Sequence, residues 1–424
     1  MKCTEIYKRS AMIKNKIELK TKVIDTFVFF EHWGAILLIF SVPWSRALFH
    51  VASAIFLLGW LGSGGYGRKF KIIRLSPVSL PALVIAGIVL IWSPFSDAPW
   101  KDVYTNIQAY SKLILVLMLV VTLSDRPWTE RAWMALTAGM LIVLSATYVD
   151  IFINIPGSTS TQTGLGADHS IFVEYVSQSF MTAIFIGYLI YKIASTNNAR
   201  HRLTWGLLLV MSIFSVLFLL QSRSGLISVS AVILTCIFVY VPTQWKVMAV
   251  ALCVSVFSAL SVLSELMLNR IKLAYHEVVN YVPFSDTSLG ARMDMWNLAF
   301  EQLKANPIFG TGSGTYQQLA TSYFSPCSLS CLHPHNQYLF FGMEYGVLGL
   351  LAFVLLLWRI RVAGHNLPKP DKMLVYSFLS VLAIDSLANV PLWYRAQSNF
   401  CYCVMGLLMA HALRTNLSAR NASA

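Results

Sequence analysis

Long apolar runs separated by short polar breaks dominate this chain. Positions 203–220, 225–241 and 247–263 are three such runs in succession. Each approaches the roughly 20 residues needed to cross a hydrocarbon core of about 30 Å. The pattern predicts helices, because a helix satisfies every backbone N–H and C=O within its own segment. A barrel would show short segments of alternating polarity, and these runs do not alternate. The same reading along the whole chain predicts about twelve spans, near 24–42, 47–62, 78–95, 106–123, 131–153, 171–191, 203–220, 225–241, 247–263, 336–358, 373–390 and 396–413. An even count places both termini on one side. The expected fold is an all-α integral membrane bundle of about 12 transmembrane helices with a long outer loop containing short helices. It divides into 1–263 (helices 1–9 behind a basic tail), 264–334 (the long loop) and 335–424 (helices 10–12 with a short C-terminus).

Composition agrees. Of 424 residues 56% are hydrophobic and only 12% charged, where a soluble chain carries about a quarter. The formal charge of +13 raises nucleic acid as a partner, but its distribution argues against that. Lys2, Lys8, Arg9, Lys14, Lys16, Lys20 and Lys22 precede the first span, and Arg68, Lys69, Lys71 and Arg74 follow the second. Later clusters are Lys192, Arg200 and Arg202, then Arg359, Arg361, Lys369 and Lys372. With a cytoplasmic N-terminus all of these fall inside, which is the positive-inside pattern. No nucleic acid is therefore expected. The first apolar run is long, no small-residue cleavage site stands after it, and it is expected to stay as the first span.

Two outer connections stand out. The loop 154–170 is rich in Gly, Ser and Thr and has no Lys or Arg. The loop 264–334 has about seventy residues, a length that is usually functional when it occurs. Within it 291–304 predicts an amphipathic helix, with Met295, Trp296, Ala299 and Leu303 on one stripe. Ser288 or Gly290 is its expected cap, Asn306-Pro307 its end, and Gly310, Gly312 and Gly314 a turn beyond it.

The densest chemistry lies in CSLSCLHPHNQYLFFGMEYGVLG, 327–349. His333 and His335 fall where the long loop meets the tenth span. A histidine there can serve as an interfacial anchor or as a base. Several arginines reach the same outer mouth. Arg223 stands between the seventh and eighth spans, Arg292 opens the loop helix, Arg270 and Lys272 follow the ninth span, and Arg395 precedes the twelfth. Snorkelling at span ends is the plain reading of such cations. Arg223 and Arg292 are better placed to hold an anion, since a guanidinium fork matches phosphate oxygens. A base beside fixed cations at a lipid surface suggests transfer from a lipid-linked pyrophosphate. The arginines would offset charge on the leaving group, and His335 would accept a proton from the attacking hydroxyl. This division needs no metal, and no outer D-x-D pair is present to hold one.

Cys327-x3-Cys331-x-His333-x-His335 leaves a metal cluster, a local disulfide and free thiols open as readings. Glu344 is nine residues past His335, which is two and a half turns and so the opposite helix face. Asp385, in the eleventh span, could pair with Arg395. Asn336, Tyr338 and His333 are further candidates for substrate contact, and Tyr338, Trp393 and Tyr394 could equally be interfacial belt residues.

His335-Asn336, nine residues, then Gly346-Val-Leu-Gly349 resembles the H-N-x9-G-x-x-G signature of the O-antigen ligases, within the O-antigen ligase/polymerase superfamily. The twelve-span layout and the long penultimate outer loop are similar too. The resemblance implies a metal-independent, inverting glycosyltransferase of the C type without a cofactor. Its donor would be undecaprenyl pyrophosphate-linked O-antigen and its acceptor a sugar hydroxyl of lipid A–core, both membrane lipids. It further implies a bacterial inner-membrane protein with cytoplasmic termini and a periplasmic site. His335 would be the essential histidine, with Arg223 and Arg292 as the family's arginines. The family's R-x3-L element stands here as Arg292-x3-Trp296. An O-antigen polymerase is the nearest alternative; a secondary transporter would show broken helices in matching halves and midplane charges.

Overall fold

The computed structural model describes residues 2–155, 158, 163–164, 167–220, 222–263, 272–273, 275–284, 287–324 and 331–423. The described residues form helices and connections, with one isolated bridge between Ser158 and Ile171. The helices are α1 (Lys2–Ser41), α2 (Arg46–Gly62), α3 (Tyr66–Leu75), α4 (Ser79–Trp92), α5 (Trp100–Thr122), α6 (Arg126–Asp150), α7 (Tyr175–Ser195), α8 (Ala199–Phe214), α9 (Arg223–Tyr240) and α10 (Lys246–Leu263). After the long loop's first part come α11 (Ser288–Ala305), α12 (Thr315–Tyr323), α13 (Gln337–His365), α14 (Lys369–Asp385) and α15 (Arg395–Ser423).

Each of the twelve predicted spans coincides with a helix, and among the described residues seven helices are by themselves long and apolar enough to cross a membrane, or eight when the bent pair α2–α3 is one span. The described residues thus make an all-helical protein of multi-pass character. In α15, residues 401–413 are all buried by other helices, and a helix enclosed on every side is held by its packing.

The basic cluster after the second span is itself a helix, α3, turned 114° from α2. Lys69 is buried where it returns to the bundle. Its Nζ donates to Glu31 Oε2 at 3.1 Å, to the Trp60 carbonyl at 2.6 Å and to Ser63 Oγ at 2.8 Å. Thr122 donates to the other oxygen of Glu31 at 2.8 Å. A buried charge needs such a complete set of partners, and this set joins α1, α2, α3 and α5 at one end of the bundle.

The long loop packs on the opposite end. Its helix α11 starts at Thr287, whose hydroxyl accepts from Gly290 N at 3.1 Å; the cap is therefore neither Ser288 nor Gly290. Its buried face is Met295, Leu298 and Ala299, together with Asp294. Asp294 goes inward because Tyr281 and the Phe284 backbone N–H both donate to it. Trp296, expected on the buried stripe, is only half-buried. The helix ends at Asn306 as expected.

The segment 307–312, just beyond α11, is built into α13. Thr311 N donates to the Met343 carbonyl at 2.8 Å, Gly312 N to the Glu344 carbonyl at 3.0 Å, and Val347 N to the Pro307 carbonyl at 2.8 Å. These bonds need a break in α13, and Gly346 supplies it at φ 64, ψ −160. That conformation is essentially restricted to glycine. Gly310, at φ 69, faces the same break, and a Cβ there would stand 2.5 Å from Gly346 N. Glu344 is buried beneath the junction, accepting from Asn106 Nδ2 at 2.5 Å and Gly314 N at 3.0 Å. Its partners lie on α5 and at the start of α12.

Candidate active site

At the loop end of the bundle, α7, α11, the 331–336 segment and the 386–394 connection enclose a cavity of about 510 Å³. His333, His335, Arg292, Asn389 and Gln397 line it. His335 precedes α13, and Asn336 caps that helix: its Oδ1 accepts from Leu339 N at 3.0 Å and its Nδ2 donates to the Leu387 carbonyl at 3.2 Å. His335 sits at φ 50, a left-handed conformation uncommon for a side-chain-bearing residue, although His is among those enriched there. The backbone is held so by its N–H, which donates to His333 Nδ1 at 3.3 Å.

Asn389 lies beside the imidazole of His335, close enough to act on its basicity, and its Nδ2 donates to Asp385 Oδ1 at 2.8 Å. With the amide nitrogen so engaged, the Asn389 oxygen is the atom left to face the ring. His335 Nδ1 is buried without a hydrogen-bond partner. Burial pushes this imidazole down to about 4, the nearby Arg292 guanidinium adds to the fall, and the Asn389 bond opposes it. His333 is also lowered well below its usual value, by burial first and then by His335 and Arg292. Both rings are therefore neutral at pH 7. Gln397 Nε2 is a second buried polar atom without a partner on the same cavity, and unsatisfied buried polar atoms of this kind need an explanation, such as an occupant of the cavity.

Arg292 is the cation of this cavity. Burial lowers its basicity, Tyr175 and Asp385 raise it, and Arg223 lowers it, although a guanidinium stays protonated throughout the working range. Arg223 opens α9 after a π-helical turn, Ser215–Leu219, and a Ser222 cap. It lies close enough to Arg292 to perturb it but is not on the cavity lining. Its Nη1 stands 3.5 Å from Glu277 Oε2, which also accepts from Leu289 N at 3.1 Å. An anion reaching Arg223 would compete with that carboxylate.

The other sequence candidates are dispersed. Arg395 lines a neighbouring cavity. Tyr338 lines neither: its hydroxyl donates to the Ala383 carbonyl at 3.0 Å and its ring packs on Phe353. Asn336 has both amide atoms engaged in the cap. Asp385 binds Asn389 and not Arg395 as a hydrogen-bond partner. Cys331 is disulfide-bonded, which removes it from any metal-ligand set; Cys327 and Arg270 lie outside the described residues. Lys272 is exposed. Sequence reasoning does not single out Asn389, and the only trace of its role there is the i, i+4 spacing from Asp385.

A third histidine, His169, has both ring nitrogens engaged. His169 Nδ1 is 3.0 Å from Asp150 Oδ2 and its Nε2 2.8 Å from the Gly164 carbonyl. Asp150 also accepts from Ile155 N and Ser158 Oγ. This pair fastens the 154–170 loop.

An all-helical, multi-pass protein with a histidine–arginine cavity at one end of its bundle is the class these features define. Residues 207–354 match the O-antigen ligase family model, and that stretch contains Arg223, Arg292, His333, His335 and the Gly346 break. The match covers about a third of the chain, and over that segment the chain is similar to the O-antigen ligase family. It is also similar to a Haemophilus influenzae protein described as an uncharacterized protein, with 35% identity over 95 residues. That similarity covers 21% of this chain and 24% of the relative, so it spans about a quarter of the relative's length.

Proposed function

We propose that this protein is an O-antigen ligase, transferring a completed glycan from undecaprenyl pyrophosphate to a sugar hydroxyl of lipid A–core. In this reading the bundle lies in the bacterial inner membrane with both termini cytoplasmic, and the loop end faces the periplasm. The observation that carries it is the orphaned Nδ1 of His335 on the same cavity as Arg292. The acceptor hydroxyl attacks the anomeric carbon of the donor, and its proton passes to Nδ1. The bond from the anomeric carbon to the pyrophosphate oxygen breaks on the opposite face, inverting the configuration. Arg292, with Arg223 behind it, offsets the charge on the departing pyrophosphate. Asn389 holds the tautomer that keeps the lone pair on Nδ1. His335, Arg223 and Arg292 are the catalytic set, and His333 shapes the cavity by holding the His335 backbone.

The test is transfer by the purified protein supplied with lipid-linked glycan and lipid A–core, with and without chelator. Modified lipid A–core formed equally in both supports a metal-independent ligase. Lengthened lipid-linked glycan with lipid A–core untouched would instead identify a polymerase, which shares the donor and the family.

A further inference from the structure

A second cavity, of about 330 Å³, opens at the same end of the bundle and shares Leu332 and Tyr394 with the first. Its walls carry Arg46, Lys101, Lys112 and Arg395 against a single carboxylate, Asp102. Among the described residues none of these four cations forms a salt bridge. Lys112 has only Ser398 Oγ, at 3.4 Å.

Local structure does not explain these charges. Arg46 and Arg395 are the first residues of α2 and α15, and Lys101 is the second of α5. A helix start carries the positive end of the dipole, where a cation is unfavourable and an anion favourable. Three helix starts therefore point their positive ends toward a place that already holds three first-turn cations. Lys112 lies about three turns further along α5, inside a candidate membrane span and half-buried, where an ionisable side chain is costly unless it serves a purpose. On the orientation proposed above, all four also run against the positive-inside trend. One occupant would answer every one of these features, namely a group with several negative charges.

We propose that this basic cavity is the acceptor's anion site, taking the phosphate groups of the lipid A–core. The identity of that ligand rests on the ligase reading. A reaction between two lipids needs two seats. The first cavity holds the proposed base, His335, and Arg292. The second has no histidine, and a glycolipid held there by its phosphates would reach a sugar hydroxyl past Tyr394 toward His335. The strength of the field also favours a multiply phosphorylated ligand over a neutral glycan.

Direct binding tests this without turnover. The full-length protein in phosphatidylcholine nanodiscs is titrated with lipid A–core and with the same glycolipid after its phosphates are removed. Lys101→Gln/Arg395→Gln should bind the phosphorylated form about tenfold more weakly than wild type. The two proteins should bind the dephosphorylated form alike, and Lys101→Arg/Arg395→Lys should restore affinity. Both positions are exposed, so folding is not at stake. Equal binding of the phosphorylated form by wild type and the neutral variant would overturn the proposal. So would an equal loss of affinity for the lipid-linked pyrophosphate donor, or full displacement of the acceptor by phosphatidylglycerol. A protein that binds as expected but transfers nothing to that acceptor would refute the ligase reading and leave the anion site standing.

Discussion

Asn389 stands between His335 and Asp385, acting on the basicity of the imidazole and donating to the carboxylate at 2.8 Å. In the proposed mechanism its amide oxygen, which can only accept, sets which nitrogen of His335 carries the proton. Asn389→Ala should release the ring and lower kcat/KM by up to about 10²-fold, the scale of a misplaced catalytic group. Asn389→Asp should behave differently. A carboxylate beside the imidazole favours the imidazolium, so the acid limb of the pH profile should move upward. A profile unmoved by Asn389→Asp would mean that the contact is merely structural.

The pH dependence of the unaltered protein comes from the depressed histidines. His335 stays neutral down to about 4, so kcat/KM, which reports the free enzyme's base, should hold through pH 6.5 and fall only near 4. Stability has the opposite concern. Below its usual 6.5 an unfolded His335 takes up a proton that the folded one refuses until about 4. Stability should therefore rise with pH across that window and be indifferent to this group above it. His333, lowered as well, adds in the same direction. Activity and thermal melting measured from pH 4 to 8 check both statements.

Gly346 should tolerate no side chain. Its φ 64, ψ −160 excludes other residues, and a Cβ would stand 2.2 Å from the Ile308 carbonyl oxygen. Gly346→Ala carries a backbone penalty of about 1–3 kcal/mol and must in addition displace the 307–312 segment. We expect a lowered melting temperature and faster amide exchange at Thr311, Gly312 and Val347, whose N–H bonds cross this junction. Unchanged exchange there would show that the junction does not depend on the glycine.

The Lys69–Glu31 pair lies at the other end, with both side chains under a tenth exposed. Glu31→Ala would leave a buried ammonium without its counter-charge, a loss of about 3–5 kcal/mol. The melting temperature should fall while transfer at low temperature persists, since neither residue lines either cavity. Lys69→Met/Glu31→Leu should recover much of the loss.

The helices are legible in the sequence because an apolar run of span length has few other physical outcomes. Legibility falls where tertiary packing decides. Residues 401–413 of α15 are enclosed by neighbouring helices, an environment that an apolar run alone does not specify. Basic, short α3 carries no span signal, yet it is helical and anchored through Lys69. On α11 the period holds and the phase does not, because Tyr281 and the Phe284 backbone draw Asp294 inward and Leu298 takes the place expected for Trp296. The Gly346 motif is visible as spacing, but its reason, a loop strand of backbone inserted into a helix break, exists only in three dimensions. The same is true of the cations. Arg46, Lys101 and Lys112 lie far apart along the chain from Arg395, and no local pattern unites them.

The central claim is that His335 is the base of a glycan transfer, and one comparison tests it most directly. Wild type and His335→Ala are supplied with lipid-linked glycan and lipid A–core, and product formation is measured alongside binding of the donor. The account predicts that His335→Ala still binds the donor through Arg292 and loses transfer by about 10²–10⁴-fold, the range for a general base. Transfer at the wild-type rate by His335→Ala would contradict it.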